Sequence, residues 1–278
     1  MLIFISILTK TINNMKKYLV IGNPIGHSLS PQLHNYWLKK NNIDGIYDKE
    51  KLEDKDLDKF ILRLRNKDIN GANVTVPFKK KIISNLDKLS PEAEITQSVN
   101  TIYLRDDKII GDNTDVIGFE LAIKEIKFEI KGRRIFIIGA GGVVPSLICA
   151  LNKMKPSNII VSNRTKNKAE NLKDLFGYLT VVDWKEIPNF DMVINATSIG
   201  LNNDEELDLD LSKIGKDKFF YDVIYNPGST NFLKTGERLG NKTENGKRMF
   251  LHQAAQAFKI WHGIKPKIDQ NSLRLLEK

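Results

Sequence analysis

Cysteine is almost absent. Cys149 is the single one in 278 residues, which excludes an internal disulfide framework and any thiolate metal cluster and makes a reducing cytoplasm the expected compartment. Histidine is nearly as scarce: His27, His34, His252 and His262 lack metal-ligand spacing, so no metal is expected. Glycine (18) and proline (9) together make up under a tenth of the chain, too little for a collagen-like or low-complexity protein. No apolar run approaches the ~20 residues of a bilayer-crossing helix. The apolar stretch Leu2–Leu8 is followed by Lys10 and by no small-residue cleavage pattern, so it reads as neither a membrane span nor a secretory signal. Residues 1–14 are expected to be an extension without function, ahead of a folded part that opens at Met15. A block of one charge sign is also missing. The net charge of +9 would draw phosphates, carboxylates or nucleic acid, but the lysines are scattered along the chain, so no nucleic-acid partner is expected.

What remains is a globular chain with 41% hydrophobic residues, enough for a real core and roughly two domains. From Lys17 the pattern alternates strand and helix: YLVIG (18–22), a helical SPQLHNYWLKKNN (30–42), a helical DLDKFILRLRN (56–66), then GANVTV (71–76). VNTIYL (99–104) and KIIG (108–111) flank Arg105-Asp106-Asp107 and predict a β-hairpin. A helix over 116–128 leads to a second alternation, with strands expected at 135–138, 158–163, 179–183, 191–196 and 218–225. The fold class is therefore α/β: an N-terminal α/β unit followed by a doubly wound, Rossmann-like parallel sheet. A helical tail from about Phe250 has one apolar side and must pack on something.

Gly139-Ala140-Gly141-Gly142 stands directly between a β-run and a helical segment, the context of a dinucleotide-binding turn. The third position of that fingerprint is Val144, which would hold helix and strand slightly apart, and Pro145 follows. About twenty residues on, where an NAD site needs a carboxylate for the ribose, the chain reads Ser162-Asn163-Arg164-Thr165, with Lys168 beyond. A planar, permanently charged guanidinium suits a 2′-phosphate, so NADP is expected over NAD.

Three further clusters carry polar chemistry. Ser28 and Ser30 flank a helix start, where hydroxyls and the helix dipole suit a carboxylate, although spacing alone reads Ser30 as the N-cap and Ser28 as a turn residue. Lys79 follows the strand end Thr75-Val76-Pro77-Phe78 and on its own reads as a surface lysine. Asp115 closes Gly111-Asp112-Asn113-Thr114 and equally reads as a helix cap. A buried Lys–Asp pair would be a proton-transfer couple, but nothing local says that the two meet.

Taken together, the strings GNPIGHSLSP, GANVTVPFK, SVNTI, GDNTD, GAGG, NRT, INATSIG, YDVIYNP and HQAAQAF stand in the order of the shikimate dehydrogenase family, which the chain resembles from about Met15 to its C-terminus. The resemblance implies NADPH-dependent reduction of 3-dehydroshikimate to shikimate, a step toward aromatic amino acids. It implies Lys79 and Asp115 as the catalytic pair, and Ser28, Ser30, Thr75, Asn100, Tyr225 and Gln253 as further substrate-binding residues. Gly139, Ala140, Gly141, Gly142 and Val143 would hold the pyrophosphate, and Asn163, Arg164, Thr165 and Lys168 the 2′-phosphate. Ala196, Thr197, Val223 and Gly246 would line the nicotinamide half. It divides the chain into a substrate domain (15–115), an NADP domain (116–238) and C-terminal helices returning to the first (239–278), in a cytoplasmic monomer or homodimer.

Three departures from the family pattern stand out: Val143-Val144-Pro145 where small residues and an arginine are usual, Lys247-Arg248 in place of Leu-Gly before Met249, and the stretch LNNDEELDLDL after Gly200, which lacks the usual proline and methionine. The rival readings are a quinate/shikimate dehydrogenase that uses NAD, and a metabolite-sensing relative without turnover. The missing acid after Ser162 argues against the first, and the presence of both Lys79 and Asp115 against the second.

Overall fold

A computed structural model describes residues 15–202 and 204–277; the expected extension, 1–14, lies outside the described residues. The first unit is built on β1 (Lys16–Gly22), α1 (Ser30–Lys40), β2 (Gly45–Lys51), α2 (Leu57–Arg65), β3 (Gly71–Val74), α3 (Phe78–Lys81), β4 (Lys88–Leu89), α4 (Pro91–Thr96), β5 (Thr101–Arg105) and β6 (Lys108–Asp112). Its strands lie in the order β2-β1-β3-β5-β6-β4. Strand β1 runs parallel to β2 and β3 and is buried without interruption from Tyr18 to Gly22, as a strand covered on both faces must be. Strands β5 and β6 form the expected hairpin, with Arg105 opposite Lys108 and Asp106 and Asp107 at φ 50° and 55°, the two left-handed residues that match the strand twist.

The second unit follows α5 (Thr114–Glu125) and contains β7 (Arg134–Ile138), α6 (Val144–Lys153), β8 (Asn158–Ser162), α7 (Lys166–Leu175), β9 (Thr180–Val182), β10 (Met192–Asn195), β11 (Phe219–Asp222), α8 (Asn231–Arg238) and β12 (Lys242–Glu244). All six strands are parallel, in the order β12-β11-β10-β7-β8-β9. The chain thus winds outward from β7 to one edge, returns, and winds from β10 to the other. The crevice of such a sheet opens at the carboxyl ends of the two central strands, here β7 and β10.

Two elements depart from the sequence reading. The helix expected over 116–128 spans Thr114–Glu125, because Asn113 caps it two residues earlier and Lys127 leaves the helical region at φ 56°. The strand expected over 218–225 stops at Asp222, whose carboxylate takes the Ile224 N–H at 2.9 Å and turns the chain out of the sheet. Residues 223–225 become a loop at the crevice instead.

The helical tail is α9 (Lys247–His262). Its Phe250, Leu251, Ala254, Ala255 and Phe258 share a core with Tyr18, Val20, Leu33 and Trp37 of the first unit, while Met249 belongs to the core under the second sheet. This one helix therefore spans both units. Among the described residues no helix is long and apolar enough to cross a membrane.

Candidate active site

Lys79 sits on the first turn after the β3 end, fixed by the fully buried Phe78 beside it and by a Val99 N–H donated to its own carbonyl at 2.8 Å. Asp115 is the second residue of α5. It is not the cap: Asn113 is, its side-chain oxygen accepting the Asp115 N–H at 3.1 Å. With the capping role filled, the Asp115 carboxylate is free to face Lys79, whose Nζ donates to Oδ2 at 2.6 Å. The two side chains are 13% and 8% exposed, so Lys79 is no surface lysine. The other carboxylate oxygen, Oδ1, accepts from Asn100 Nδ2 at 2.9 Å, and the same amide lies 3.4 Å from Gln253 Oε1 on α9. An ammonium, its counter-ion and two polar side chains converge from separate elements, a constellation suited to acid–base work on a bound oxygen.

The serine pair resolves differently from the local expectation. Ser30 is the first residue of α1 rather than its cap; Leu29 holds the cap position and makes no side-chain cap hydrogen bond. The Ser30 N–H donates to Ser28 Oγ at 3.3 Å, which brings the two serines together at the helix start. Tyr225, on the loop released after β11, stacks on Phe250 at 4.3 Å. Burial pushes its phenol pKa up, against a hydrogen bond from the Leu29 backbone that pulls it down. Thr75 lies one residue beyond β3, its methyl packed so tightly on Gly22 that a Cβ there would lie 2.5 Å away.

On the second unit Gly139 has φ +114°, and a side chain there would strike the Ala196 carbonyl at 2.9 Å. The turn Gly139–Val143 and the residues Ala196 and Thr197 thus face each other at the ends of β7 and β10, across the crevice. Val144 is fully buried in the core below the turn. Thr197 donates through both N–H and Oγ1 to Asn195 Oδ1, and Asn195 in turn donates to the buried Asp222 at 3.1 Å. Burial pushes the Asp222 pKa up to about 6, with donors from Thr230, Ile224 and Asn195 opposing it. Val223 and Gly246 touch so closely that a Cβ at 246 would lie 2.1 Å from the Val223 carbonyl. At the end of β8, Arg164, Thr165 and Lys168 are exposed while Asn163 ties to the Thr165 carbonyl at 2.8 Å. Lys166 is engaged by Asp183, but among the described residues neither Arg164 nor Lys168 is in an ion pair. Arg248, the bulky departure, turns to Glu125 and Glu244 at 3.3 and 3.5 Å.

Four residues that sequence reasoning gave no role of this kind, Ser98, Asn113, Gly118 and Ser146, hold the halves together. Gly142 would place a Cβ 3.7 Å from Lys79 Cδ, and its carbonyl accepts from Ser98 Oγ at 3.2 Å. Asn113 donates to Ser146 Oγ of α6 at 2.9 Å as well as capping α5. Gly118 lets α9 approach until a Cβ there would lie 2.7 Å from Gln253 Cβ. A glycine inside a helical pattern was the one signal that could have found it; Ser98 and Ser146 offered none.

A dinucleotide crevice abutting a sheltered lysine–aspartate pair defines a two-unit, dinucleotide-binding α/β protein with its chemistry at the seam. The family models described as "Shikimate dehydrogenase substrate binding domain", "Shikimate / quinate 5-dehydrogenase" and "Shikimate 5'-dehydrogenase C-terminal domain" match residues 20–102, 120–215 and 246–270. A protein of Pelagibacter ubique (strain HTCC1062) named "Shikimate dehydrogenase (NADP(+))" is 53% identical over 262 residues, 94% of this chain and 99% of that one. The crystal structure of shikimate dehydrogenase from Aquifex aeolicus superposes with a TM-score of 0.89 at 34% identity, covering 96% of this chain and 99% of its own. That of Thermus thermophilus shikimate 5-dehydrogenase in complex with NADP(H) and shikimate gives 0.86 at 29% identity, covering 94% and 100%. The chain belongs to the shikimate dehydrogenase family.

Proposed function

We propose that this chain is an NADP(H)-dependent shikimate dehydrogenase that interconverts 3-dehydroshikimate and shikimate. The observation that carries the reading is the 2.6 Å Lys79–Asp115 pair, sheltered from water and abutting Gly142 of the dinucleotide turn. Ser28, Ser30 and Tyr225 bind the substrate carboxylate, and Thr75, Asn100 and Gln253 its ring hydroxyls. Lys79 donates the proton to the carbonyl oxygen in reduction and takes it back in oxidation. Asp115 keeps the ammonium charged and aimed, and Asn100 fixes the carboxylate from its other oxygen. Proton transfer of this kind contributes on the order of 10²–10⁴ in rate.

The crevice fits NADP(H): the Gly139 backbone adopts a conformation that favours glycine, Ala196 and Thr197 face it, and Arg164 and Lys168 are exposed and, among the described residues, outside any ion pair, which suits a 2′-phosphate. When bound, the nicotinamide supplies the two-electron chemistry. Gly139–Val143 hold the pyrophosphate; Asn163, Arg164, Thr165 and Lys168 hold the adenosine phosphate; Ala196, Thr197, Val223 and Gly246 line the nicotinamide side. In this reading residues 15–115 serve the substrate, 116–238 the cofactor, and 239–278 return to the first unit with Gln253. The enzyme works in the cytoplasm, as a monomer or homodimer.

The test is turnover by the purified chain with NADP⁺ or NAD⁺ and with shikimate or quinate. Shikimate-dependent NADP⁺ reduction is expected. Preference for NAD⁺ with quinate, or no turnover at all, overturns the reading.

A further inference from the structure

The substrate carboxylate in the reading above rests on hydroxyls at a helix start, with no full positive charge among them, and neutral groups by themselves compensate a desolvated anion poorly. Beside Ser28 lies a cavity of about 260 Å³, walled by His27, Gln32 and Lys49 from the first unit and by Asn226 from the loop after β11. Among the described residues no aspartate or glutamate lines it. Its cation arrives there by strand alternation. Tyr47 and Lys49 share one face of β2, and Tyr47 is buried on that face, stacked on His34 of α1 at 4.3 Å with its hydroxyl donated to Asn73 at 2.7 Å. Two residues further toward the carboxyl end of the sheet, the same face delivers the Lys49 ammonium to the start of the serine turn. There Nζ donates to the Gly26 carbonyl at 2.6 Å.

The charges around it are otherwise matched: Glu50 pairs with Arg63 at 2.7 Å and Lys51 with Glu53 at 4.0 Å. Asp48, on the opposite face, accepts the Lys49 backbone N–H at 2.7 Å. Among the described residues the Lys49 side chain has no carboxylate partner. A cation held by a neutral carbonyl keeps its full charge for a third group.

We propose that Lys49 is a positioning residue for the substrate carboxylate: it anchors the Gly26–Ser28 turn and supplies the positive charge that the serine site lacks. The proposal rests on the shikimate reading and names a determinant of its specificity. Lys49 touches neither the reacting carbon nor the cofactor groove, so it governs affinity for the acid and not the chemical step.

The experiment compares the unmodified full-length chain with Lys49→Met and Lys49→Arg, and with Lys59→Met on α2 as a control for net charge. Turnover and calorimetric binding are measured with shikimate and with its methyl ester, which lacks the anion. For Lys49→Met the KM and Kd for shikimate are expected to rise about two- to fivefold, the range of an exposed charge interaction, with kcat and the KM for NADP⁺ unchanged. Lys49→Arg recovers most of the loss, added salt weakens shikimate binding more in the unmodified chain than in Lys49→Met, and the methyl ester binds both alike. Equal losses for acid and ester would reduce Lys49 to a prop for the turn and overturn the proposal. An unchanged KM for shikimate would overturn it too. If the unmodified chain neither binds nor oxidises shikimate, the functional reading itself fails, and this proposal with it.

Discussion

Replacing Asp115 by asparagine removes one charge and almost no volume, so its consequence can be worked out atom by atom. Both carboxylate oxygens face donors: Oδ2 accepts from Lys79 at 2.6 Å and Oδ1 from Asn100 at 2.9 Å. An amide offers one oxygen and one NH₂, so in either orientation one of those donors meets an N–H. If Lys79 loses, a sheltered ammonium is left without its counter-ion; breaking a fully buried pair costs about 3–5 kcal/mol, and the 13% exposure of Lys79 places this one toward the lower end. If Asn100 loses, the Gln253 contact that it shares is disturbed instead. Either way the aim of the proton carrier is lost, and kcat for 3-dehydroshikimate is expected to fall by about 10²–10⁴, or about 3–5 kcal/mol in barrier. NADPH affinity should stay within about threefold, because the contact to the cofactor turn runs through Lys79 Cδ and Ser98 and not through the carboxylate. Lys79→Met should show the same split, and the double variant should be little worse than either single one, as for groups that act as a unit. Steady-state kinetics together with NADPH titration by fluorescence reads all of this. A kcat within tenfold of the unmodified enzyme in either variant refutes the assigned proton chemistry, and parallel loss of NADPH binding refutes the separation of the two functions.

Arg164→Ala should raise the KM for NADPH by at least tenfold and leave that for NADH unchanged, because the guanidinium is exposed and, among the described residues, in no ion pair; equal effects on both cofactors would remove it from the phosphate site. Gly118→Ala gains about 1 kcal/mol of helix propensity but sets a methyl 3.0 Å from the Gln253 nitrogen and the Met249 carbonyl, backbone that cannot move aside. Overpacking of that kind costs about 1–3 kcal/mol, so a lower melting temperature and a lower kcat/KM for shikimate are expected together, and a stabilised, fully active variant would contradict the close helix crossing. Burial holds the His34 pKa down to about 3, with His262 adding to the effect, so the unfolded chain takes up this proton first as pH falls. The stability tied to neutral His34 is therefore complete above pH ~6.5 and drains away toward pH ~3. His34→Phe should flatten the fall of melting temperature over that window, and an unchanged slope would refute it.

Legibility in the sequence followed the range of the interaction. Strands β7, β8 and β10 and the turn at Gly139 were readable because apolar runs and a glycine turn are local patterns. Edge strand β12, a three-residue Lys-Thr-Glu, exists only because β11 lies beside it, and no periodicity announces it. The caps were misread for a related reason. Ser28, Leu29 and Ser30, like Asn113 and Asp115, place candidates within two residues of one another, and only the folded backbone decides which position is the cap. The consequence reaches the chemistry, since a capping Asp115 could not also hold Lys79. That pair, 36 residues apart in the chain, had no local signature; the ordered family strings suggested it, and the fold makes the contact.

The seam between the units gives this arrangement its logic. Asn113 orders the first turn of α5 through its oxygen and donates through its nitrogen to Ser146, on the helix that starts at the dinucleotide turn. Ser98, three residues before the hairpin strand β5, holds the carbonyl of Gly142 on the same turn. The carboxylate paired with Lys79 and the backbone of the glycine turn are thus tied to one buried polar hub, with Thr96 and the Ser98 carbonyl as its remaining members. Polar networks of this kind are satisfied only in one geometry, because each unmet donor inside a protein carries its full desolvation penalty. With α9 bridging the two cores on the other side, this hub sets Lys79, Asp115 and the Gly142 turn in one arrangement.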